Sequence, residues 1–332
     1  MMKQYDLVII GAGPIGLACG IEAEKHGLRY VILEKGCLTN SIYGFPTNMT
    51  FFSTPDKIEI GGVPFVTLSD KPTRTEALEY YRRVKTYWKL KVRLYEEVLS
   101  MEANGQGQYC LRTPRGKYRT HSVVIATGFF AKPNLLGIEG EHLWKVRHYF
   151  EDPHLYADHK IVVVGGGNSA VDVALSTYRK GAEVTLVVRK PHVKPSIKFW
   201  VKPDLENRVK GNEIKAYFES QLVAIRPYEV DIQTPKGLVT LENDFVLAMT
   251  GYHPNFEWLQ SLGIVLDTHK RDAPVHNEES FETNLSNVFV AGTLCGGRHT
   301  SRWFIENARH HAPIILQNIA KQLKKRPCMQ AT

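Results

Sequence analysis

The chain has 332 residues, of which 43% are hydrophobic, so it is long enough to form two domains with buried cores. A formal net charge of +8 favours anionic ligands such as nucleotide phosphates, whereas the scattered Lys and Arg residues do not favour nucleic acid. No run of about 18 apolar residues is present, which argues against a membrane span. Five widely spaced cysteines without a CxxC pair exclude a secreted disulfide framework. We therefore expect a cytoplasmic protein without a cleavable signal peptide.

The beginning of the chain is predicted to form a strand, a tight turn, a helix and a second strand. Gly11, Gly13 and Gly16 fit the pattern G-x-G-x-x-G directly after the apolar run at 7–10. In such a loop the first glycine permits the turn, the second lets a pyrophosphate approach, and the third lets helix and strand pack closely. Glu34 ends the second strand, where its carboxylate can accept hydrogen bonds from ribose hydroxyls. The pattern predicts a dinucleotide site formed by Gly11, Gly13, Pro14, Ile15, Gly16, Glu34 and Lys35.

A second glycine loop repeats this arrangement in the middle of the chain. Gly165, Gly167 and Ala170 fit G-x-G-x-x-A, and alanine is still small enough for a close crossing of helix and strand. The position equivalent to Glu34 is Val188, which is followed by Arg189. Arginine can hold a 2′-phosphate, so NADPH is favoured over NADH, unless Arg189 only caps a strand end. The predicted contacts are Gly165, Gly167, Asn168, Ser169, Ala170, Arg189 and Lys190.

Two similar Thr-Gly turns are predicted to mark the points where the chain passes between domains. They are Thr127–Gly128 after one apolar strand and Thr250–Gly251 after another. A further strand and glycine turn at Gly292–Thr293 precede a final helix, predicted at 301–324. The fold class is therefore α/β, with two Rossmann-like domains of three layers each. One domain is predicted at 1–127 and 252–332, and the other, at 128–251, is inserted within it.

These features together extend over nearly the whole chain and resemble the thioredoxin-reductase-like pyridine nucleotide-disulfide oxidoreductase family. The segments "SIYGFPTNMTFFSTPDKIEIGGVPF", "PSIKFW" and "GYHPNFEWL" are similar to those of its bacillithiol disulfide reductase branch. The resemblance implies FAD in the discontinuous domain and NADPH in the inserted one. NADPH would donate a hydride to the flavin, and the protein would orient the two rings.

The sequence also departs from the family pattern at three places. The stretch "KVRHYFEDPH", at 145–154, contains no cysteine although thioredoxin reductases carry a redox-active Cys-x-x-Cys pair near this position. Many members of the branch have a cysteine where this chain has Ile15. Related reductases have an acid for the ribityl chain where this chain has Thr293, whose hydroxyl or backbone could replace it. An internal dithiol is therefore excluded, and the resemblance implies that the substrate's own disulfide meets the reduced flavin.

The resemblance places several side chains near the flavin. Residues predicted to contact it after the second strand are Ser41, Tyr43, Phe52 and Ser53, although a packed loop with a phenylalanine core is the alternative. The final helix is expected to direct its N-terminus at the flavin. Cys295 would then lie near a helix N-terminus, where a lowered pKa could make it a nucleophilic thiolate. Arg298 could supply charge or protons to a leaving thiolate, and His148 could line the flavin face.

The leading functional prediction is an NADPH-dependent FAD reductase of a low-molecular-weight disulfide, with bacillithiol disulfide as the substrate that the resemblance implies. A small redox protein is the other expected acceptor, as in a ferredoxin or flavodoxin reductase. A flavin monooxygenase-like enzyme and a non-catalytic flavin redox sensor are further alternatives. We expect no metal, nucleic acid or membrane partner, and a homo-oligomer, since dimers are usual in the wider family.

Overall fold

A computed structural model describes residues 3–105 and 107–324, which divide into two compact units. The first unit comprises the chain up to residue 43, residues 49–132 and the chain from residue 253 onward. The second unit comprises residues 44–48 and 133–252. The chain thus passes between units after Lys132 and Tyr252, in place of the Thr127 and Gly251 of the sequence prediction. The predicted α/β class, with two Rossmann-like units and one inserted in the other, is confirmed.

The first unit begins with alternating strands and helices and continues with an antiparallel meander. Its elements up to the first crossing are β1 Lys3–Ile10, α1 Pro14–Lys25, β2 Tyr30–Leu33, α2 Asn40–Tyr43, α3 Pro55–Ile58, α4 Arg74–Tyr87, β3 Val92–Arg93, β4 Ser100–Ala103, β5 Tyr109–Thr113 and β6 Gly116–Ile125. β1 pairs in parallel with β2 and β6, while β4, β5 and β6 pair antiparallel. The apolar run of β1 is fully buried because helices cover it, as the run at 7–10 predicted.

The second unit contains a parallel sheet that is covered on both faces. Its elements are β7 Lys132–Pro133, β8 Val146–Arg147, a 3₁₀ turn Pro153–Tyr156, β9 Lys160–Val164, α5 Asn168–Tyr178, β10 Glu183–Val188, α6 Lys202–Lys210, β11 Lys215–Phe218, β12 Gln221–Ile225, β13 Glu229–Thr234, β14 Gly237–Glu242, β15 Phe245–Ala248 and β16 Tyr252–His253, where β7 and β16 span the crossings. The sheet order is β11-β10-β9-β15-β8. Alternate residues of β9 face opposite sides: Ile161 and Val163 pack with α5, and Val162 and Val164 pack with the sheet β12-β13-β14.

The first unit is completed by the C-terminal part of the chain. Its elements are α7 Phe256–Ser261, β17 Leu266–Asp267, a 3₁₀ turn Thr268–Lys270, β18 Ala273–Pro274, β19 Val288–Val290, a 3₁₀ turn Gly292–Gly296, α8 Ile305–Ala308 and α9 His311–Lys324. β19 pairs in parallel with β6, so the carboxyl ends of β1, β2, β6 and β19 meet at one edge of the sheet. Open α/β sheets bind their ligands at this edge. No helix within the described ranges is long and apolar enough to cross a membrane.

The predicted final helix is interrupted and starts later than expected. The prediction of one helix over 301–324 is wrong at its beginning, because helical backbone starts only at Ile305 and is broken after Ala308. The Asn307 side chain accepts a hydrogen bond from the Phe304 backbone N–H at 2.7 Å and fixes this late start. A four-residue helix carries few aligned peptide dipoles, so the predicted dipole effect on a flavin is correspondingly small.

Candidate functional site

The first glycine loop is shaped by three glycines with three different physical roles. Gly11 has φ +105°, and a Cβ there would lie 2.6 Å from the Ala126 carbonyl oxygen. A Cβ on Gly16 would lie 1.9 Å from the Gly11 carbonyl oxygen, so only glycine allows α1 to cross so close to the loop. No atom lies within 4 Å of a Cβ placed on Gly13, the N-cap of α1. The loop therefore leaves open space where the motif places a pyrophosphate, beside unpaired helix N–H groups.

The acidic residue of the motif is fixed beside this loop. The Glu34 side chain is 7% exposed, and its two carboxylate oxygens accept hydrogen bonds from the Ala12 backbone N–H at 2.8 Å and the Gly36 backbone N–H at 2.9 Å. A carboxylate oxygen can accept further hydrogen bonds, so this geometry leaves acceptor capacity for a ribose. Lys35, the predicted neighbour, has an exposed side chain.

Two predicted turns meet the first loop at the carboxyl edge of the sheet. A Cβ on Gly292 would lie 3.2 Å from Ile15 Cγ1, so Ile15 packs directly against the turn that follows β19. A Cβ on Gly128 would lie 3.6 Å from Thr293 Oγ1. Thr127, Gly128, Gly292 and Thr293 are thereby gathered around one edge, as a shared cofactor site requires. Within 4 Å of a Cβ on Gly128, the Thr293 hydroxyl oxygen is the nearest described atom.

The segment predicted to contact the flavin divides into two parts. Ser53 donates a hydrogen bond of 2.6 Å to the Glu306 carboxylate, which joins this segment to the first turn of α8. Tyr43 and Phe52 are 59% and 60% exposed, so the alternative of a packed phenylalanine core does not describe Phe52. Ser41 lies in α2 and is half-buried. The segment and the final helical region are thus neighbours within the first unit, whereas Tyr43 and Phe52 lie at its surface.

The second glycine loop is built in the same way within the second unit. Gly165 has φ +140°, and a Cβ there would lie 2.5 Å from the Met249 carbonyl oxygen and 3.1 Å from the Ala170 side chain. Gly167 is the N-cap of α5 and has no side-chain cap, so helix N–H groups are again available for an anion. Ser169 is exposed in the first turn of α5. The position that corresponds to Glu34 is occupied by Val188, a buried residue of the hydrophobic core.

Two basic residues, Arg189 and Lys190, follow β10 at the place where the first glycine loop has the acidic Glu34 nearby. Arg189 and Lys190 are both exposed directly after the strand, and neither side chain has an ion-pair partner within the part of the chain described. The Lys190 carbonyl accepts a hydrogen bond from the Glu219 backbone N–H at 3.1 Å, which fixes the backbone here. A cleft of about 480 Å³ adjoins this region, and it is lined by His192, Val193, Pro195, Lys202, Leu205, Glu206, Val209, Lys210 and Phe218.

The second Thr-Gly turn is closed by a single asparagine. The Thr250 hydroxyl donates to the Asn134 carbonyl oxygen at 2.5 Å, and the Asn134 backbone N–H donates to the Gly251 carbonyl oxygen at 2.9 Å. Gly251 has φ +92°, which favours glycine. The turn is therefore held in place by the second unit's own backbone, at the carboxyl end of β15.

The lowered pKa predicted for Cys295 is wrong. The side chain is 1% exposed inside the 3₁₀ turn that follows β19, and burial raises the pKa of its thiol to about 12. Burial also raises the pKa of Cys19 and of Cys37. Cys110 is half-buried in β5, and Cys328 lies outside the described residues. The local sequence suggested a helix N-terminus, but the surrounding apolar packing determines the state of the thiol.

The other two catalytic candidates are each held by a carboxylate. Arg298 donates from Nε to Asp272 at 2.5 Å, and its guanidinium lies 4.9 Å from the centre of the Phe256 ring. In the second unit, His148 Nε2 lies 3.5 Å from a Glu141 carboxylate oxygen, and burial lowers the pKa of His148. Catalytic roles for Arg298 and His148 remain predictions.

Comparison with known proteins identifies the family. A family model described as pyridine nucleotide-disulphide oxidoreductase matches residues 8–292. The chain belongs to this family. Bacilliredoxin reductase Bdr of Bacillus subtilis (strain 168) is 41% identical over 322 residues, which cover 97% of this chain and 99% of that protein. The structure of Bacillithiol Disulfide Reductase Bdr (YpdA) from Staphylococcus aureus has a TM-score of 0.94 at 39% identity, covering 98% and 100% of the two chains.

A more distant relative shares most of the length. A ferredoxin–NADP reductase of Ignicoccus hospitalis is 25% identical over 306 residues, which cover 87% of this chain and 90% of that protein. Membership of the pyridine nucleotide-disulphide oxidoreductase family makes the chain a flavin oxidoreductase that uses FAD and NAD(P)H. The two glycine loops fit these groups, since each ends in a helix N-terminus without a side-chain cap. A Cβ on Gly13 would meet nothing within 4 Å, and a Cβ on Gly167 would meet only the flexible end of the Lys194 side chain at 3.9 Å.

We predict that Cys295→Ser leaves the steady-state turnover of a disulfide substrate within about twofold of the wild type. A thiol with a pKa of about 12 stays protonated between about pH 6 and pH 9 and is a poor nucleophile. Turnover and the rate of iodoacetamide labelling of the folded protein measure this directly. Cys37→Ser, at a half-buried loop position, is the matched control. A turnover reduced by more than about tenfold in Cys295→Ser, but not in Cys37→Ser, would contradict this prediction and support a catalytic thiol at Cys295.

His311 is a residue of this edge that no sequence motif predicts. It is 2% exposed, and its Nδ1 accepts a hydrogen bond of 3.2 Å from the Gly292 backbone N–H. Its ring stacks on Phe281 at 4.1 Å and meets the edge of Trp303 at 4.5 Å. Burial lowers the pKa of His311 to about 4. A neutral His311 therefore holds the turn that presents Thr293.

We predict that acidification destabilises the protein through His311. Between about pH 6.5 and pH 4 the unfolded chain binds a proton at this residue and the folded chain does not, so the free energy of unfolding falls by up to about 3 kcal/mol. Urea unfolding at pH 7, 5.5 and 4.5 should show a shallower pH dependence in His311→Gln than in the wild type. The exposed neighbour His310→Gln should retain the wild-type dependence. Parallel curves for all three proteins would contradict the prediction.

Proposed function

We propose that this oxidoreductase is an NADPH-dependent flavoprotein that reduces bacillithiol disulfide. The observation that carries the proposal is the combination of two complete nucleotide loops with a sequence that lacks any CxxC pair. Electrons collected on the flavin then have no protein dithiol to reduce, so the acceptor must itself meet the flavin. The overall reaction consumes one NADPH, one proton and one disulfide, and yields NADP⁺ and two thiols.

The residues of the first unit would bind FAD at the carboxyl edge of their sheet. Gly13 and the N-terminus of α1 would bind the pyrophosphate, and Glu34 would accept hydrogen bonds from the ribose. Thr293 would offer its hydroxyl to the ribityl chain, with His311 holding the Gly292 backbone in position. When bound, FAD supplies a two-electron carrier between nicotinamide and disulfide.

The residues of the second unit would bind NADPH. Gly167 and the N-terminus of α5 would face the pyrophosphate, and Arg189 would hold the 2′-phosphate in charge-assisted hydrogen bonds. Val188 leaves no carboxylate at the place where an acid would repel that phosphate. This arrangement supports NADPH over NADH as the physiological donor.

Anaerobic titration tests the donor half of the proposal first. NADPH should bleach the yellow colour of the purified flavoprotein at a stoichiometry of about one, and a protein that stays oxidised would contradict every reductase function. Stopped-flow reoxidation of the reduced protein by bacillithiol disulfide, by a bacilliredoxin, by ferredoxin and by oxygen then compares the acceptors. We expect bacillithiol disulfide to reoxidise the flavin faster than the other three.

A ferredoxin–NADP reductase activity is the second candidate. It is favoured by the similarity to the enzyme of Ignicoccus hospitalis and by the net charge of +8, which suits an acidic partner protein. Its electron transfer should slow steeply with ionic strength, because long-range attraction between two proteins is screened by salt. Reduction of a small disulfide should depend on salt less strongly.

We further propose that the protein acts in the cytoplasm as a homo-oligomer. The reducing compartment follows from five cysteines that form no secreted framework. The oligomer follows from the wider family, and size-exclusion chromatography with light scattering measures it. A monomer at micromolar concentration would contradict this part of the proposal.

A further inference from the structure

The three-stranded sheet β12-β13-β14 of the second unit has two edges that differ in how they are covered. At the β12 edge, the Ile225 backbone N–H donates to the Glu139 carbonyl oxygen at 2.9 Å. A Cβ placed on Gly140 would lie 1.8 Å from the Ile225 carbonyl oxygen, so the chain at 139–140 lies directly against this strand. The register of β12 also shifts between Leu222 and Ala224. A covered and irregular edge of this kind is closed to a further strand.

The β14 edge presents backbone groups that point away from the sheet. Within the described ranges β14 pairs only with β13, and the Asn243 backbone N–H extends this register by donating to the Tyr228 carbonyl oxygen at 2.8 Å. In an antiparallel ladder, residues that bond to the partner strand alternate with residues that do not. The backbone groups of Val239 and Leu241 therefore face β13, as those of Asn243 do. The N–H and C=O groups that face outward belong to Leu238, Thr240 and Glu242.

The residues of this edge favour the addition of another strand. Natural proteins usually protect an open edge with a proline, a bulge or a charged residue. Residues 237–241 contain no proline and no charged residue, and their register against β13 is continuous. Leu238 is 60% exposed, and Val239 and Thr240 are β-branched residues that suit extended backbone. An edge of this kind is a template for strand pairing between chains.

The charges at the two ends of the edge identify which chain would fit it. Lys236 is exposed in the turn before β14, and Glu242 is exposed at the end of β14, where its carboxylate is also paired with Lys160. These two residues lie at equal distances in sequence on either side of Val239. An antiparallel second copy, related by a twofold axis at Val239, would therefore place Lys236 of each copy opposite Glu242 of the other. Opposite charges in directly facing positions stabilise a strand pair, and a carboxylate has room for two lysines.

The same arrangement also matches the backbone groups of the two edges. A twofold axis at Val239 sets Leu238 of one copy opposite Thr240 of the other, and both residues have outward-facing N–H and C=O groups. The edge is thus complementary to itself in hydrogen bonds as well as in charge, which is what an interface between identical chains requires.

We propose that two copies of the chain associate by antiparallel pairing of their β14 strands. The pairing joins the two three-stranded sheets into one sheet of six strands. This inference rests on the homo-oligomer proposed above and assigns a surface to it. It involves none of the residues proposed to bind FAD or NADPH, so association and flavin reduction can be measured separately.

Exchange of the two charges tests the pairing. Sedimentation velocity of the FAD-containing protein over a range of concentrations gives the dissociation constant of the twofold contact. Lys236→Glu sets two glutamates opposite each other, and Glu242→Lys sets two lysines opposite each other. Each single variant should raise the dissociation constant by at least about tenfold, since the change occurs twice in a twofold interface. The double variant, with the charges exchanged, should return to within about threefold of the wild type.

Lys117→Glu is the matched control, because Lys117 is an exposed lysine of β6 in the first unit and its replacement changes the net charge equally. It should associate like the wild type. A dissociation constant unchanged in both single variants, or not restored in the double variant, would overturn the β14 interface.

The wild-type protein separates this proposal from the others. A wild type that is monomeric at micromolar concentration would overturn the homo-oligomer together with the β14 interface. A wild type that associates as expected, with the single variants weakened and the double variant restored, but is not reduced by NADPH would support the interface and overturn the reductase function alone.

Discussion

Replacing Gly13 with alanine should weaken FAD binding by more than about tenfold and leave the apoprotein as stable as the wild type. The Gly13 backbone, with φ −72° and ψ 176°, is accessible to alanine, and the added methyl group meets no protein atom within 4 Å. The lower entropy of the unfolded chain and the weaker N-cap preference of alanine act in opposite directions, so the free energy of unfolding should stay within about 1 kcal/mol of the wild type. FAD titration and urea unfolding of the apoprotein measure the two quantities.

Gly16→Ala is the matched variant for this experiment, because it adds the same methyl group three residues along the same loop. Its Cβ would lie 1.9 Å from the Gly11 carbonyl oxygen, so helix α1 must move away from β1. Such overpacking lowers the free energy of unfolding by about 1–3 kcal/mol. We therefore expect Gly16→Ala to lower both the stability of the apoprotein and its affinity for FAD. If Gly13→Ala retained FAD with wild-type affinity, the pyrophosphate would not occupy the space in front of Gly13.

Replacing Arg189 with alanine should raise the KM for NADPH by about 10–100-fold while the KM for NADH stays within about twofold. The range corresponds to the loss of a charge-assisted hydrogen bond of about 1.5–3 kcal/mol. The side chain is exposed after β10, so its removal leaves the core intact. Anaerobic reduction of the flavin by each nucleotide gives the two constants without an acceptor.

Arg189→Lys distinguishes charge from geometry in this experiment. Lysine keeps the positive charge but cannot form the two parallel hydrogen bonds of a guanidinium, so an intermediate KM for NADPH is expected. An equal increase of the KM for NADPH and for NADH in Arg189→Ala would mean that Arg189 contacts a part of the molecule that both nucleotides share. In that case the donor preference would have to come from another residue.

The sequence alone predicts those parts of the site whose geometry is local. Gly16 is required by its close contact with Gly11 within one strand–turn–helix unit, and such a contact follows from residue spacing. Gly11 and Gly165 face the carbonyl oxygens of Ala126 and Met249, at the ends of other strands, but the glycine pattern of the motif still predicts them. Glu34 is predictable for the same reason, since the end of β2 lies beside the loop in every fold of this type. The α/β class follows from the repeated pattern.

The remaining features depend on packing between segments that are distant in the sequence. The pKa of Cys295 is set by burial, which the local pattern of a turn before a helix does not reveal. The late start of the final helix depends on one asparagine cap, and the role of His311 depends on its contact with Gly292, 19 residues away.

The packing of Ile15 against Gly292 has a pharmacological consequence. The family resemblance of the sequence leads to the expectation of a cysteine at this position of the first loop, and a thiol there would be a target for covalent, electrophilic inhibitors. In this chain the position is filled by a branched hydrocarbon side chain that is 8% exposed and contains no group for an electrophile to modify. A compound that acts by alkylating a cysteine of this loop would therefore not inactivate this protein.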